Sequence, residues 1–360
     1  MEQRTVDVYE ARALEWQAAR PARLLDRAEA LAGAVEPGAM RLDAGCGPGA
    51  HLAALGEPVV GLDAAFAMLE IARQVSPGAR CVQADLEHLP VRPGGFGGAW
   101  ANASYLHVAR VRLPWALMEL HQSLRAGAPV AMTMRRGSSE GVLAGDDFPG
   151  RIFTEWEVEP LTDVLVGAGF SVQECAVDSA VVSRRREWIH VRATRMRTLP
   201  DLVGPNLRLL LCGLNPSEYS ADVGVGFARP GNRFWPAALS AGIVTRDRDP
   251  RHALLEHGVG MTDLVKRASP RADVLTKAEY REGAGRLERL VRWLRPRVVV
   301  FVGLSGYRAA IDASATAGEQ RGGFGGVSAY VMPNPSGINA HVTADDLAAH
   351  LRAAALAAYR

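Results

Sequence analysis

"LLLCGLNPS" (209–217) sets an apolar run directly before Asn-Pro-Ser, and "VSAYVMPNPS" (327–336) does the same again. Proline disfavours helix in the residue before it and marks a turn. Each Asn therefore stands where a buried strand gives way to a loop. Ligands of open α/β sheets bind beyond the carboxyl ends of the strands, so both turns are candidates for a site.

Working outward, the surrounding residues continue the alternation of short apolar runs and amphipathic stretches. After "LRLLLCG" come a helix around Arg233–Ala241, a long helix Lys277–Leu294, the strand "RVVVFVG", the strand "VSAYVM" and a last helix Ala344–Ala358. The first half repeats the alternation, with strands at Met40–Ala44, Val59–Leu62, Arg80–Gln83, Gly98–Asn102 and Val130–Met134, and two more at Phe170–Glu174 and Trp188–Arg192. This alternation predicts parallel sheets covered by helices. A polar, arginine-rich passage ending in "TLPDLVGPN" separates the halves. The expected organisation is α/β with two domains, 1–197 and 198–360. At 360 residues, two domains is the better prior.

Composition narrows the class. Hydrophobic residues make up 48% and charged residues 22%, as in ordinary globular proteins, and the net charge of +2 argues neither for nor against a polyanionic partner. Lysine occurs only at Lys266 and Lys277 among 41 basic residues, so "SRRREW", with Arg184–Arg186, reads as a solvated face rather than a nucleic-acid patch. Cys46, Cys81, Cys175 and Cys212 lie singly, with neither metal-site nor redox spacing. The first residues lack an apolar signal core, and no run reaches the roughly 18 residues of a membrane span. A cytoplasmic protein with reduced thiols and no membrane partner is expected.

"LDAGCGPG" (42–49) follows a strand and opens a helix; its glycines allow a tight turn and a ligand lying against backbone N–H groups. Asp63 ends the second strand, placed to accept ribose hydroxyls, and Asp85 ends the third, placed to meet an adenine amino group. Acidic tips on three successive strands suit a nucleoside without phosphate, although a dinucleotide-binding domain also carries such a loop. His107 in "NASYLHV" is either a base or a helix-start histidine without chemical role. Tyr9 and Trp16 on the leading helix are either a lid or core.

Residues from about 5 to 195 resemble class I S-adenosylmethionine-dependent methyltransferases, with the acidic-then-glycine loop, the ribose carboxylate and "ADLEHLP" in family order. The resemblance implies a Rossmann-like fold and S-adenosylmethionine as cofactor. It puts Asp43, Gly45 and Gly47 at the methionine end, Asp63 at the ribose, Asp85 and Leu86 at the adenine, and Asn102 among the cofactor contacts. The methyl acceptor is not legible.

The second half offers uncharged amides and one aromatic, Phe227, on separate loops: "GLNPSEYSADVGVGFARPGNRFW" (213–235), "GVGMTDLVKRAS" (258–269) and "VMPNPSGINAH" (331–341). Such a site can stack a flat heterocycle and bond its edges, as enzymes acting on flipped bases do. Residues from about 207 to 358 resemble the mismatch-specific uracil/thymine-DNA glycosylase branch of the uracil-DNA glycosylase superfamily, with these segments in order. The resemblance implies a three-layer α/β/α fold and, as partner, double-stranded DNA carrying a mispaired or deaminated base. Asn215 would position the attacking water. Leu214, Phe227, Asp263 and Asn334 would form the base pocket, and Ser336, Gly337, Ile338 and Asn339 the DNA wedge. Arg229 and Arg233 either touch phosphate or are solvated.

Asp263 departs from the family, which carries an amide or a lysine near that place; it either points elsewhere or selects a base with an extra donor. Ser217, where glycine is often found, is expected to narrow the pocket against a 5-methyl group. The expected activity is excision of uracil, and less well thymine, opposite guanine, in a chain that also binds S-adenosylmethionine. The other reading is a methyltransferase whose second half only binds nucleic acid.

Overall fold

The computed structural model describes residues 2–177, 187–337 and 342–359. Arg184–Arg186, Ile338 and Asn339 lie outside the described residues. The chain divides into two compact units: 1–166 with 170–196, and 197–360 with 167–169.

The first unit carries β1 (Arg41–Ala44), β2 (Val59–Asp63), β3 (Arg80–Gln83), β4 (Gly98–Asn102), β5 (Pro129–Arg135), β6 (Glu140–Val142), β7 (Ile152–Thr154), β8 (Phe170–Val177) and β9 (Trp188–Arg195). Seven of these form one sheet in the order β3-β2-β1-β4-β5-β9-β8, and β6 pairs with β7 alone. Strands β1 to β5 run parallel, while β9 is antiparallel to both neighbours. The chain moves from β1 to β2 on one side and returns to β4 on the other. The loop after β1 therefore lies at the switch point where such sheets bind ligands.

The second unit carries β10 (Leu209–Gly213), β11 (Val259–Asp263), β12 (Val298–Val302), β13 (Gly318–Phe324) and β14 (Val327–Met332), in the order β11-β10-β12-β14-β13. All but β13 run parallel. β12, "VVVFV", is buried along its whole length, the pattern of a central parallel strand covered on both faces. The helix Lys277–Leu294 starts where Thr276 and Glu279 cap each other, and Ala344–Ala357 starts at the equivalent pair Thr343 and Asp346. Both halves are mixed α/β, as their sequences predict. The hairpin of β6 and β7 and the glycine-rich β13 are additions, because neither has an apolar run to mark it.

Candidate functional site

In the first unit, Gly45, Gly47 and Gly49 all adopt positive φ, and a Cβ on Gly45 would collide with the Ser104 side chain. The loop's N–H groups are not offered to a ligand as the glycine pattern predicts. Gly45 and Cys46 both donate to Leu62 O (2.7 and 2.9 Å), and Gly47 donates to Asp63 Oδ2 (2.9 Å). The N–H of Gly49 goes to Cys46 O. A pyrophosphate needs those donors free, so the loop disfavours dinucleotide binding.

Charge points the same way. Asp43 is 1% exposed, and its Oδ2 has no hydrogen-bond partner among the described residues. Burial, with the nearby Asp63 carboxylate, pushes its pKa up to about 8. Burial also raises Asp63, against the N–H groups of Ala65 and Gly47 that its two oxygens accept. An orphaned buried carboxyl, kept protonated beside a second acidic group, is relieved by a cationic ligand, whose charge favours its ionisation. Asp85 Oδ1 accepts from Glu87 N at 3.0 Å, and Leu86 is buried. Asn102 Oδ1 accepts from Thr133 Oγ1 at 2.7 Å. These residues fit a cationic nucleoside without phosphate.

His107 is not placed as a base. Its Nδ1 lies 2.7 Å from Ile152 O, which can only accept, so Nδ1 carries the proton. Nε2 then accepts from Tyr9 Oη at 2.8 Å, and Tyr9 Oη in turn accepts from Arg151 Nη1 at 2.9 Å. Burial drives His107 down to about 4, keeping it neutral. The rings of Tyr9, Trp16, Phe148 and Phe153 surround the Arg151 guanidinium, which pairs with Asp146. Tyr9 and Trp16 also pack on the helix Phe66–Val75. Arg151 carries no signal in the sequence, since nothing local marks a buried arginine in a chain rich in them.

In the second unit, the two Asn-Pro-Ser turns follow β10 and β14, parallel strands separated only by β12. Both turns thus lie on one carboxyl edge. Asn215 Nδ2 donates to Ser269 Oγ (2.8 Å) and Arg267 O (3.0 Å), and Ser269 Oγ itself donates to Arg271 O (2.7 Å). Turning the amide over would set its oxygen against two acceptors. The network therefore fixes Nδ2 inward and leaves Oδ1 as an acceptor. The loop is stitched to the segment after β11 by Leu264 N to Gly213 O, Val265 N to Leu214 O and Ser269 N to Pro216 O. Ser269 closes the segment "GVGMTDLVKRAS", but nothing in the sequence pairs it with Asn215, 54 residues away.

Phe227 is half-buried, has φ of 58° and stacks on Phe234 at 4.3 Å and 28°. A positive φ on an aromatic residue is strained, and such strain clusters at functional sites. Asp263 and the edge of this ring come together at Gly213, where a Cβ would meet Asp263 Oδ1 at 2.5 Å and Phe227 Cζ at 3.5 Å. Burial pushes Asp263 up to about 6, opposed by Lys266 and Arg286 and reinforced by Asp201. Behind it lies a buried ion network. Asp201 bonds Lys266 (2.8 Å), Arg286 (2.6 Å) and Thr262 (2.6 Å), and Arg286 Nη2 also donates to Asp263 O (3.0 Å).

Asn334 is exposed, and its Oδ1 accepts from Ser336 N at 2.9 Å. Arg233 neither reaches out nor is simply solvated. Its guanidinium donates to Ser336 O (2.9 Å) and Val342 O, and its N–H donates to Pro335 O (3.0 Å). Gly337 lies against Gly231, where a Cβ would come within 2.8 Å of the carbonyl oxygen. Ser217 has a local role. Its Oγ caps the helix Glu218–Val223, accepting from Ser220 N, because serine before a helix satisfies an orphan N–H.

Residues 200–357 match the family model of the uracil DNA glycosylase superfamily, and residues 42–132 match that of a methyltransferase domain. The chain is a fusion of these two kinds of domain. Among solved structures, it is similar to the [4+2]-cyclase SpnF, with 16% identity over 53% of this chain and 95% of that one, at a TM-score of 0.42. An S-adenosylmethionine-dependent methyltransferase from Mesorhizobium loti shares 22% identity over 48% and 100%, at 0.38. The 1,6-didemethyltoxoflavin-N1-methyltransferase of Burkholderia thailandensis shares 18% over 54% and 91%, at 0.42. Among the described residues, no helix is long and apolar enough to cross a membrane.

Proposed function

We propose that the second unit is a DNA glycosylase that hydrolyses the N-glycosidic bond of uracil, and less readily thymine, opposite guanine. The observation that carries this reading is the locked amide of Asn215, whose oxygen alone is left to accept from a water. An amide has no basic site at neutral pH, so Asn215 orients water without deprotonating it. The sugar–base bond must then break largely unaided, which favours a good leaving group. Phe227, backed by Phe234, supplies the stacking face for a flipped base. Asn334, with Leu214, borders the base, and Ser336 and Gly337 enter the vacated stack. Flipping costs least at a mispair, so G·U is preferred. Contacts with DNA come from loops and helix ends, giving salt-sensitive binding with little sequence preference.

The first unit is proposed to hold S-adenosylmethionine, with Asp43 and Asp63 meeting its cationic and ribose parts and Asp85 and Leu86 its adenine. When bound, that cofactor supplies an electrophilic methyl group. Gly45 and Gly47 shape the loop, and Asn102 closes the methionine end. A reading in which the second unit merely grips nucleic acid leaves the fixed amide of Asn215 without a purpose.

The test is a duplex panel with uracil or thymine opposite guanine or adenine, scored by alkaline scission at abasic sites. Asn215→Ala is expected to lower uracil release about a hundredfold, since losing the orientation of a reactant costs on the order of 10²-fold. Cleavage at the wild-type rate in the variant, or faster release of thymine than uracil, contradicts the assignment.

A further inference from the structure

The spacing of the cysteines forms no redox motif, but the register of the first sheet brings two of them together. Cys81 on β3 pairs with Gly61 on β2, and residues paired across a ladder present their side chains on the same face. Gly61 has no side chain there, and Cys46 occupies the space. A Cβ on Gly61 would meet Cys46 Sγ at 2.9 Å and Cys46 Cβ at 3.3 Å. Neighbouring strands lie about 4.8 Å apart, so the Cys81 side chain starts roughly one strand spacing from the same point. Both cysteines belong to one apolar cluster, with Leu52, Leu55, Leu69 and Trp100. They differ in access: Cys46 is 5% exposed, whereas Cys81 is half-buried.

We propose that Cys46 and Cys81 form a reversible disulfide when the chain meets a small-molecule disulfide, and that this bond closes the glycine loop to S-adenosylmethionine. The closure rests on reading the first unit as the holder of that cofactor. The Cys81 thiolate, the accessible partner, attacks one sulfur of the small disulfide, whose S–S bond breaks and releases one small thiolate. Cys46 sulfur then attacks Cys81 sulfur in the mixed disulfide, the protein S–S bond forms and the second small thiolate leaves. The protein thiols give up two electrons and two protons, and the small disulfide is reduced to two thiols. Burial raises both protein thiols, reinforced at Cys46 by Asp43 and Asp63 and opposed at Cys81 by Arg73. Both therefore stay protonated at neutral pH, and coupling is slow without such an oxidant. The bond fixes the two Cβ atoms about 3.5–4.5 Å apart. Cys46 lies between Gly45 and Gly47, whose N–H groups bond Leu62 O and Asp63 Oδ2. Tying Cys46 to β3 thus pulls on the contacts that hold the loop beside Asp63.

The test treats the full chain with oxidised glutathione, blocks remaining thiols, and maps peptides by mass spectrometry without reductant. Calorimetry reads S-adenosylmethionine affinity before and after. The oxidised wild type is expected to yield peptides joined through Cys46 and Cys81 and to bind about tenfold more weakly, a coupling of ordinary size. Dithiothreitol is expected to restore the affinity. Cys81→Ser is expected to bind like the reduced wild type with or without oxidant. Absence of the joined peptides, joined peptides with unchanged affinity, or an equal loss in oxidised Cys81→Ser overturns the inference. Binding by the reduced wild type then leaves the parent reading intact. A reduced wild type that does not bind S-adenosylmethionine overturns that reading and the closure with it. Should Cys81→Ser fail to fold, the wild type answers by reciprocity. In a glutathione redox buffer, saturating S-adenosylmethionine is expected to shift the pair towards its thiols by the same factor, about tenfold. An unshifted equilibrium overturns the inference.

Discussion

At the scale of single residues, Asp43 carries the sharpest consequence. Its folded pKa of about 8 lies far above the ordinary 3.8, so the folded chain binds a proton there that the unfolded chain releases. That contribution to stability is complete below pH about 4 and is lost as pH rises through about 8. Without ligand, the first unit is therefore expected to melt at lower temperature at pH 9 than at pH 6, and Asp43→Asn to flatten the fall. A cationic ligand needs the ionised form, so S-adenosylmethionine should bind more tightly as pH rises towards 8, with proton uptake by buffer. Asp43→Asn should weaken it about tenfold or more, losing a charge-assisted contact of about 1.5–3 kcal/mol. Calorimetry in buffers of different ionisation enthalpy checks both; pH-independent affinity would refute the linkage. Residue type made Asp43 a candidate in the sequence. That its oxygen is orphaned follows only from packing. Packing likewise removes His107 as a base, since both of its ring nitrogens are engaged.

At the scale of elements, the two Asn-Pro-Ser turns are held by different partners. The first hangs on the loop after β11, the second on the start of the helix Phe234–Ser240 through Arg233. Arg233→Ala should cost about 1.5–3 kcal/mol, the usual range for hydrogen bonds to a charged group. Hydrogen exchange at residues 333–337 is expected to quicken and KM for mispaired DNA to rise, with the Asn215 network intact. Unchanged exchange would show that the clamp is idle. Element limits were legible where local chemistry sets them: Thr276 with Glu279 starts the long helix at Lys277, as its periodicity predicts. β13 was not legible, because Gly318, Gly322 and Gly323 supply no apolar signal and β14 recruits it by pairing.

At the scale of the molecule, each sheet is its own core, and the second depends on charge placed inside it. The passage "TLPDLVGPN" reads as a polar separator, yet Leu202 pairs with Met261 beside β11 and Asp201 is buried at 3% exposure. Burial opposes ionisation of Asp201, but Arg286 and Lys266 prevail and hold its pKa below the usual value. Its stabilising contribution is present above the unfolded value near pH 4 and lost as pH falls through the lower folded one. Asp201→Ala leaves two buried cations without their partner, and removal of one member of a buried pair costs about 3–5 kcal/mol. Urea unfolding at pH 7 should show a loss of that size in the second unit; a loss under about 1 kcal/mol would mean water reaches the cluster.

The sequence by itself determined two α/β halves, the strands that end in acidic or amide residues, and the order of the segments that form each site. These properties are local: apolar runs, turn-forming residues and caps act within a few positions of themselves. Only the tertiary structure decided that the glycine loop spends its N–H groups on β2, and that Asn215 presents an oxygen. It alone decided that Arg233 braces a loop and that Asp263 and the Phe227 ring edge meet at Gly213. Each of those outcomes depends on partners about 16 to 109 residues away. Which buried polar atoms find a partner is fixed by how the elements pack, because a desolvated donor or acceptor must be satisfied wherever the fold brings one within reach.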